Sequence, residues 1–228
     1  MKNTLLFAMF IILFQGCRKY DTVINDYVPP VGPTVTDIDG NVYEVITIGN
    51  QTWMKENLQV THFNNGDPIL MVTDQSEWIN QSSAAYCNYK NSNNIASLFG
   101  RLYNWHAIND KRRIAPEGWH IPTNEDWMEL EFHYGGVLTA GPLKETGTRY
   151  WASPNVGATN ESGFTALPGG SRLDSTGFND NGTRGYWWTT GESFAHFGWF
   201  RTMSYDESTL KPAYTSKTTG MSVRCIKD

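Results

Sequence analysis

The sequence predicts a mixed α+β fold on three observations. Asp39-Gly40 is a strong hairpin signal, because a two-residue turn needs left-handed backbone conformations that Gly and Asp adopt readily. A capping-box-like sequence starts a helix at Thr123. Three segments near the C-terminus have the composition of short strands: Gly185 to Thr190, His196 to Tyr205 and Ser222 to Lys227.

The hairpin is the first predicted element of the folded region. Side chains from Val42 to Ile46 alternate in polarity, which predicts a strand. A turn at Ile48-Gly49-Asn50-Gln51 then returns the chain into a second strand at Thr52-Trp53-Met54.

The same region resembles the first half of a calcium loop. Asp37, Asp39 and Asn41 carry oxygen ligands at alternate positions. The loop pattern further requires Gly directly after the third ligand and a bidentate Glu at its end, where this chain has Ile48. We therefore interpret the segment as a turn.

The spacing of apolar residues further along the chain predicts two helices. Leu98 to Asn109 has apolar and aromatic side chains at i, i+3 and i+4 spacing, which predicts one amphipathic helix. From Thr123 onwards, Trp127 and Leu130 continue a helical period that stops at Gly135-Gly136.

The N-terminus is typical of an export signal. Ten uninterrupted apolar residues run from Leu5 to Phe14 and are followed closely by Gly16 and Cys17. The run is shorter than the ~18 to 20 residues that a membrane-spanning helix needs, and it has the length of a signal-peptide core. Residues 1–16 are thus predicted to be a lipoprotein signal peptide, with Cys17 as the lipid attachment site. The alternative is an ordinary secretory signal, and both interpretations export the protein.

The rest of the chain divides into a tether and one domain. Residues 17–34 are rich in proline and lack any helical or alternating pattern, which is typical of a semi-extended spacer. Residues 35–228 have no second proline-rich break and are taken as one domain. Removal of residues 1–16 takes away one lysine and changes the formal net charge from −5 to −6. This acidity argues against nucleic acid or anionic lipid headgroups as main partners.

Six sequence blocks carry a resemblance to a known family. They are 48–58, 159–170, Gly100-Arg101-Leu102-Tyr103-Asn104-Trp105, Pro116-Glu117-Gly118-Trp119-His120-Ile121-Pro122-Thr123, Gly185-Tyr186-Trp187-Trp188-Thr189-Thr190 and Ser222-Val223-Arg224-Cys225. Together they resemble the Fibrobacter succinogenes major paralogous domain, which occurs in exported lipoproteins of Bacteroidetes and Fibrobacter relatives. The resemblance covers the chain from about Val35 to the C-terminus.

The resemblance implies a C-type-lectin-like fold, with two helices, small antiparallel sheets and long loops. It implies no reaction, since a fold does not determine a function. The formylglycine-generating enzymes share the fold and use two closely spaced cysteines near the C-terminus, whereas Cys225 has no such neighbour. We expect a protein that is not an enzyme and that uses no metal or cofactor.

The resemblance also bears on the cysteines. Many relatives have Cys where this chain has Ala115, so the usual partner of the C-terminal cysteine is missing. Cys87 and Cys225 are then the only cysteines of the mature domain. They either form a disulfide in an oxidising compartment or stay buried thiols.

Ligand binding is the function that the sequence favours, at the outer membrane or cell surface. The expected partner is a glycan or a protein, bound by loops 174–184 and 205–217, which are polar and lie outside the six blocks. Asparagine and aspartate in such loops also serve turns, and a structural envelope module without a ligand is the alternative. The candidate ligand-binding residues are Asp174, Asn179, Asp180, Asn181 and Arg184.

Tryptophan side chains are a second source of binding surface. Trp151, Trp187, Trp188 and Trp199 could each stack on a sugar ring. Because a tryptophan buries about 150 to 250 Å² in a core, we expect most of the four to be packed inside and one to be exposed.

The lipid anchor is tested by Cys17→Ser. This change removes the acylated thiol, so the protein should move from the membrane fraction to the soluble fraction. Fractionation of cells with immunoblotting measures the shift, and Cys87→Ala serves as the cysteine control that stays in the membrane. An unchanged membrane fraction for Cys17→Ser would refute the lipoprotein assignment.

Overall fold

The computed structural model describes residues 32–136 and 140–228. The predicted signal peptide, Cys17 and most of the tether lie outside the described residues. The strands are β1 Thr34–Thr36, β2 Val42–Ile48, β3 Gln51–Met54, β4 Leu70–Met71, β5 Ala85–Cys87, β6 Leu102–Tyr103, β7 Trp119–His120, β8 Ser171–Leu173, β9 Gly177–Asn179, β10 Arg184–Phe194, β11 Phe197–Ser204, β12 Lys211–Ser216 and β13 Ile226–Lys227. The α-helices are α1 Gln75–Ile79, α2 Asn93–Phe99, α3 Trp105–Ile108, α4 Asn124–His133 and α5 Ala140–Leu143.

The strands form small sheets, so the α+β class predicted from the sequence is confirmed. A five-stranded antiparallel sheet has the order β1-β2-β3-β13-β7. A three-stranded antiparallel sheet has the order β10-β11-β12, and β8 pairs with β9 as a separate hairpin. The third small sheet, β4-β5-β6, is mixed because β4 runs parallel to β5.

The first hairpin forms, but the two-residue turn predicted for it is wrong. Gly40 has φ of +83°, whereas Asp39 is absent from the residues with positive φ in the described chain. The backbone N–H of Asp37 donates to the carbonyl of Asn41 at 3.0 Å, which closes a three-residue loop. The Asp37 carboxylate accepts the N–H groups of Asp39 and Asn41, both at 3.0 Å, and the hydroxyl of Tyr43 at 2.6 Å. These donors occupy the carboxylate that a calcium loop would present to an ion.

The single helix predicted over Leu98 to Asn109 is also wrong. The chain instead forms α2, the short strand β6 and then α3. Gly100 ends α2 with φ of +80°, and the Asn104 side chain begins α3 by accepting the N–H of Ala107 at 3.0 Å. The apolar residues do have helical spacing, but Leu102 lies in β6, between the end of α2 at Gly100 and the start of α3 after Asn104.

The second predicted helix is confirmed as α4. Thr123 caps it, since its hydroxyl accepts the N–H of Asp126 at 3.1 Å. The Asp126 carboxylate in turn accepts the N–H of Thr123 at 2.8 Å, so aspartate takes the place that glutamate usually has in a capping box.

Of the three predicted C-terminal strands, two are confirmed and one is shorter than expected. β10 extends beyond Gly185 to Thr190, and β11 lies within His196 to Tyr205. From Ser222 to Lys227 only β13 is a regular strand, while Ser222 makes an isolated bridge with Trp187.

A buried polar network joins distant parts of the core. Arg224 donates to the side-chain oxygen of Asn57 through Nη2 at 2.9 Å and Nε at 3.2 Å, and it also donates to the carbonyl of Phe164. Trp187 Nε1 donates to the same Asn57 oxygen at 2.9 Å, and Asn57 Nδ2 donates to the carbonyl of Phe99 at 2.7 Å. Burial lowers the pKa of Arg224 to about 9. We call these five residues the Asn57–Arg224 network.

The two domain cysteines are buried and free. Cys87 packs with Trp78 in one apolar cluster, and Cys225 belongs to a different cluster around Tyr103. Burial raises the pKa of Cys87 to about 11 and raises the pKa of Cys225 as well. The structure therefore has the thiol alternative of the two that the sequence left open.

Replacing Asn57 with alanine should destabilise the fold by about 3 kcal/mol or more, because it leaves the Arg224 guanidinium, the Trp187 N–H and the Phe99 carbonyl short of partners inside the core. Urea unfolding followed by tryptophan fluorescence measures the loss. Asn94→Ala, at an exposed position of α2, is the control and should change stability by less than ~0.5 kcal/mol. Equal losses in the two variants would contradict the role of the network.

Alkylation tests the state of the cysteines. In folded protein lacking the N-terminal segment, Cys87 and Cys225 should resist iodoacetamide, because burial and raised pKa values remove the reactive thiolate. In denaturant without reductant, mass spectrometry should find both residues alkylated. A sample that takes up label only after reduction would show a disulfide instead.

Candidate functional site

The six sequence blocks supply the interior of the domain. The Asn57–Arg224 network takes residues from four of the blocks, and Phe99 directly precedes a fifth. Tryptophans of the blocks also lie in the core, since Trp53, Trp119 and Trp187 are all buried. A binding surface must therefore be sought outside the blocks.

Three of the predicted ligand-binding residues have structural roles. Asp180 has φ of +65° and accepts the hydroxyl of Tyr186 at 2.6 Å. The amide of Asn181 donates to the carbonyl of Pro168 at 3.3 Å, and the amide of Asn179 donates within its own hairpin. These contacts hold the connection between β9 and β10.

The other two predicted residues, Asp174 and Arg184, are exposed. Asp174 follows β8 at the tip of the β8–β9 hairpin, whereas Arg184 begins β10 beyond the base of that hairpin. Since each strand residue adds about 3.3 Å, the hairpin separates Asp174 from the other four predicted residues. The second predicted loop is partly a strand, because 211–216 form β12.

One aromatic surface stands out on the β10-β11-β12 sheet. Trp199 lies directly opposite Tyr214, and Phe194 lies opposite Phe197 across the β10–β11 turn. These four side chains share the outer face of the sheet, because partners in register point the same way and side chains alternate along a strand. We call them the aromatic platform.

The platform is organised around Tyr214. Its ring contacts the rings of Phe194, Phe197 and Trp199 with centroids 5.9, 5.9 and 5.5 Å apart and interplanar angles of 79°, 83° and 78°. Edge-to-face pairs of this kind are favourable and hold the rings in place. Phe194 is nevertheless 64% exposed and Tyr214 51% exposed, so water meets a contiguous aromatic surface.

The platform carries little net charge. With histidine counted as neutral, Glu192 and Lys217 are the charged residues of the adjoining segments 190–199 and 212–218. The Lys217 ammonium donates to the Glu192 carboxylate and to the carbonyl of Ala195, and it lies 4.1 Å from the centre of the Trp105 ring. The two charges therefore neutralise each other beside the Trp105 ring.

Two neighbouring cavities lie near this end of the sheet, and the second of them is lined by residues of the β10–β11 turn and of β12. One has a volume of about 410 Å³ and the other about 300 Å³, and both are lined by Ser82 and His106. The first extends along 109–112, and the second reaches His196 and Ser216. We call the pair the His106 cleft.

Sequence reasoning named Trp199 among its candidate residues, and its second candidate loop, 205–217, contains Tyr214, but it missed Phe194 and Phe197. Trp151, Trp187 and Trp188 are fully buried, while Trp199 is the half-buried member of the four. The missed signal was the spacing of Phe197 and Trp199, which places two aromatics on one face of a strand.

Two further observations concern the described residues. Among 32–136 and 140–228, no cluster of three or more His, Cys, Asp and Glu side chains is placed to hold a metal ion. In the same ranges every helix is too short or too polar to cross a bilayer.

Comparisons with known proteins identify a family and no individual relative. No curated protein matches the chain, and no solved structure matches it. The family model described as the Fibrobacter succinogenes major domain matches residues 46–227. That match spans most of the chain, from the end of β2 into β13, and includes the six blocks that build the core. The chain therefore belongs to the Fibrobacter succinogenes major domain family.

Proposed function

We propose that this chain is a non-enzymatic lipoprotein of the outer membrane or cell surface that binds a neutral glycan on its aromatic platform. The observation that carries the proposal is the exposure of Phe194, Phe197 and Tyr214 beside Trp199 on one sheet face. Contiguous exposed apolar surface on a folded domain marks an interaction site. The anchor at Cys17 and the location remain proposals that rest on the N-terminal sequence.

The geometry suits a sugar ring. Aromatic rings present flat apolar faces, and sugars present C–H groups that pack against such faces. The edge-to-face contacts of Tyr214 with its three neighbours fix these rings before any ligand arrives, so little side-chain entropy is lost on binding. A preorganised surface of this kind favours a rigid ligand.

The charge balance favours a neutral ligand. The Glu192–Lys217 pair leaves no uncompensated charge on segments 190–199 and 212–218 in the described structure. Hydroxyl groups of Thr190, Ser193 and Ser216 lie in the same segments and can donate or accept hydrogen bonds. Aromatic surface next to neutral hydroxyls matches the two faces of an uncharged sugar.

The lectin-like fold belongs to the same proposal. It is supported by the small sheets and short helices, and by the position of the chain ends. β1 and β13 belong to one five-stranded sheet, so the beginning and the end of the domain meet in a single element. The tether would join the domain at β1, in the five-stranded sheet. The β10-β11-β12 sheet is a separate element, so it would stay available to a ligand.

Affinity electrophoresis tests glycan binding. The domain without its signal segment is run through gels that each contain xylan, β-glucan, galactomannan, yeast mannan, starch or dextran. At least one neutral polysaccharide should retard the protein, and Tyr214→Ala and Phe194→Ala should abolish the retardation because each removes stacking surface. Phe132→Ala is the matched control, since Phe132 on α4 is 71% exposed and lies outside the platform.

Each outcome of this experiment decides between the alternatives. Free migration in every gel would reject glycan binding and favour the structural module. Retardation that survives both platform variants but is lost in Arg184→Ala would move the site to the loop 174–184 that the sequence predicted.

A further inference from the structure

The His106 cleft lies beside the platform. His196 lines it and falls between Phe194 and Phe197 in the β10–β11 turn. Ser216 also lines it and is the register partner of Phe197. A chain-like ligand that lies on the platform can therefore continue over this turn into the cleft.

The cleft offers neutral hydrogen-bonding groups that the fold does not use. Among residues 32–136 and 140–228, the side chains of Ser82, His106 and Asn109 make no hydrogen bond to another protein group; Ser82 and Asn109 are exposed and His106 is half-buried. All three line the larger cavity, and Ser82 and His106 also line the smaller one. Polar groups left free in a concave site are available to a ligand.

The chemistry of His106 matches hydroxyl groups. Burial and the positive charge of Lys217 lower the pKa of His106, which keeps the imidazole neutral at neutral pH. A neutral imidazole has one N–H donor and one nitrogen acceptor, and a sugar hydroxyl can pair with either. The serine hydroxyl and asparagine amide have the same double capacity.

The charged residues of the cleft do not make an anion site. Arg112 donates to the carboxylates of Asp110 at 2.9 Å and Asp67 at 3.2 Å, so these three residues together carry one net negative charge. Lys111 also lines the larger cavity, and its positive charge balances that group. Lys217 is compensated by Glu192. An uncharged polyhydroxyl group fits this lining better than a phosphate or a carboxylate.

We propose that the His106 cleft is a second sugar subsite, and that the ligand is a neutral glycan chain long enough to occupy the platform and the cleft together. This inference rests on the proposed function, because it assumes that the glycan bound by the platform also extends into the cleft. Each cavity falls within or near the ~300 to 1,000 Å³ of small-molecule sites, which is ample for one sugar residue.

The test compares two lengths of one glycan. A hexasaccharide and a disaccharide prepared from the retarding polysaccharide are titrated calorimetrically into the domain. The hexasaccharide should bind about tenfold or more tightly than the disaccharide, because hydrogen bonds in the cleft add to stacking on the platform.

Two cleft variants isolate the second subsite. His106→Phe keeps a ring beside Trp105 but removes both ring nitrogens. Ser82 is exposed and lines both cavities, so Ser82→Phe places a bulky ring where a sugar would lie. Both variants should reduce hexasaccharide affinity to that of the disaccharide and leave disaccharide affinity unchanged. His133→Phe, an exposed histidine of α4, is the control and should bind as the unaltered domain does.

The results separate the two proposals. If Tyr214→Ala abolishes binding but the cleft variants keep the full hexasaccharide affinity, the second subsite is wrong and the platform stands. If the cleft variants lose binding while Tyr214→Ala retains it, the cleft stands and the platform is wrong. If no neutral polysaccharide retards the unaltered domain, both are wrong.

Discussion

A buried guanidinium sets the main constraint on this fold. Arg224 is 1% exposed, and an unpaired charge in the core would cost on the order of several kcal/mol. Oxygens of Asn57 and Phe164 satisfy it, and Asn57 is itself fixed by Trp187 and Phe99. Segments far apart in the chain must therefore meet in one arrangement, and the sheets and loops are built around it.

This constraint explains why membership of the family identifies a fold more readily than an activity. The residues that define the family resemblance serve packing and buried hydrogen bonds, and fold does not determine function. Gly100 illustrates the point, because a Cβ there would collide with Asn57. Surface chemistry can vary around such a core, so the platform and the cleft lie where the sequence blocks end.

Local signals in the sequence predicted α4, the first hairpin and two C-terminal strands, since caps, turns and alternation act over a few residues. The helix predicted over Leu98 to Asn109 failed because Gly100 and Asn104 form contacts with segments distant in sequence. The platform could be predicted only in part for a similar reason, since the spacing of Phe197 and Trp199 indicates one aromatic strand face but not which strands lie beside it. Its four rings meet through the register of β11 with β10 and β12, which sequence spacing does not fix.

The packing on the two faces of the β10-β11-β12 sheet shows which of its aromatic side chains the core uses and which it leaves exposed. On the inner face Gly198 lies flush against Trp105, where a Cβ would collide with the indole ring. On the outer face α4 covers Arg201, which bonds to Glu131 at 2.9 Å, but Phe194 at the sheet end is exposed. A polar residue at that end would leave the core contacts intact. Packing on Tyr214 orders these rings but leaves Phe194 and Tyr214 more than half exposed, and that exposure is the observation on which the proposed ligand rests.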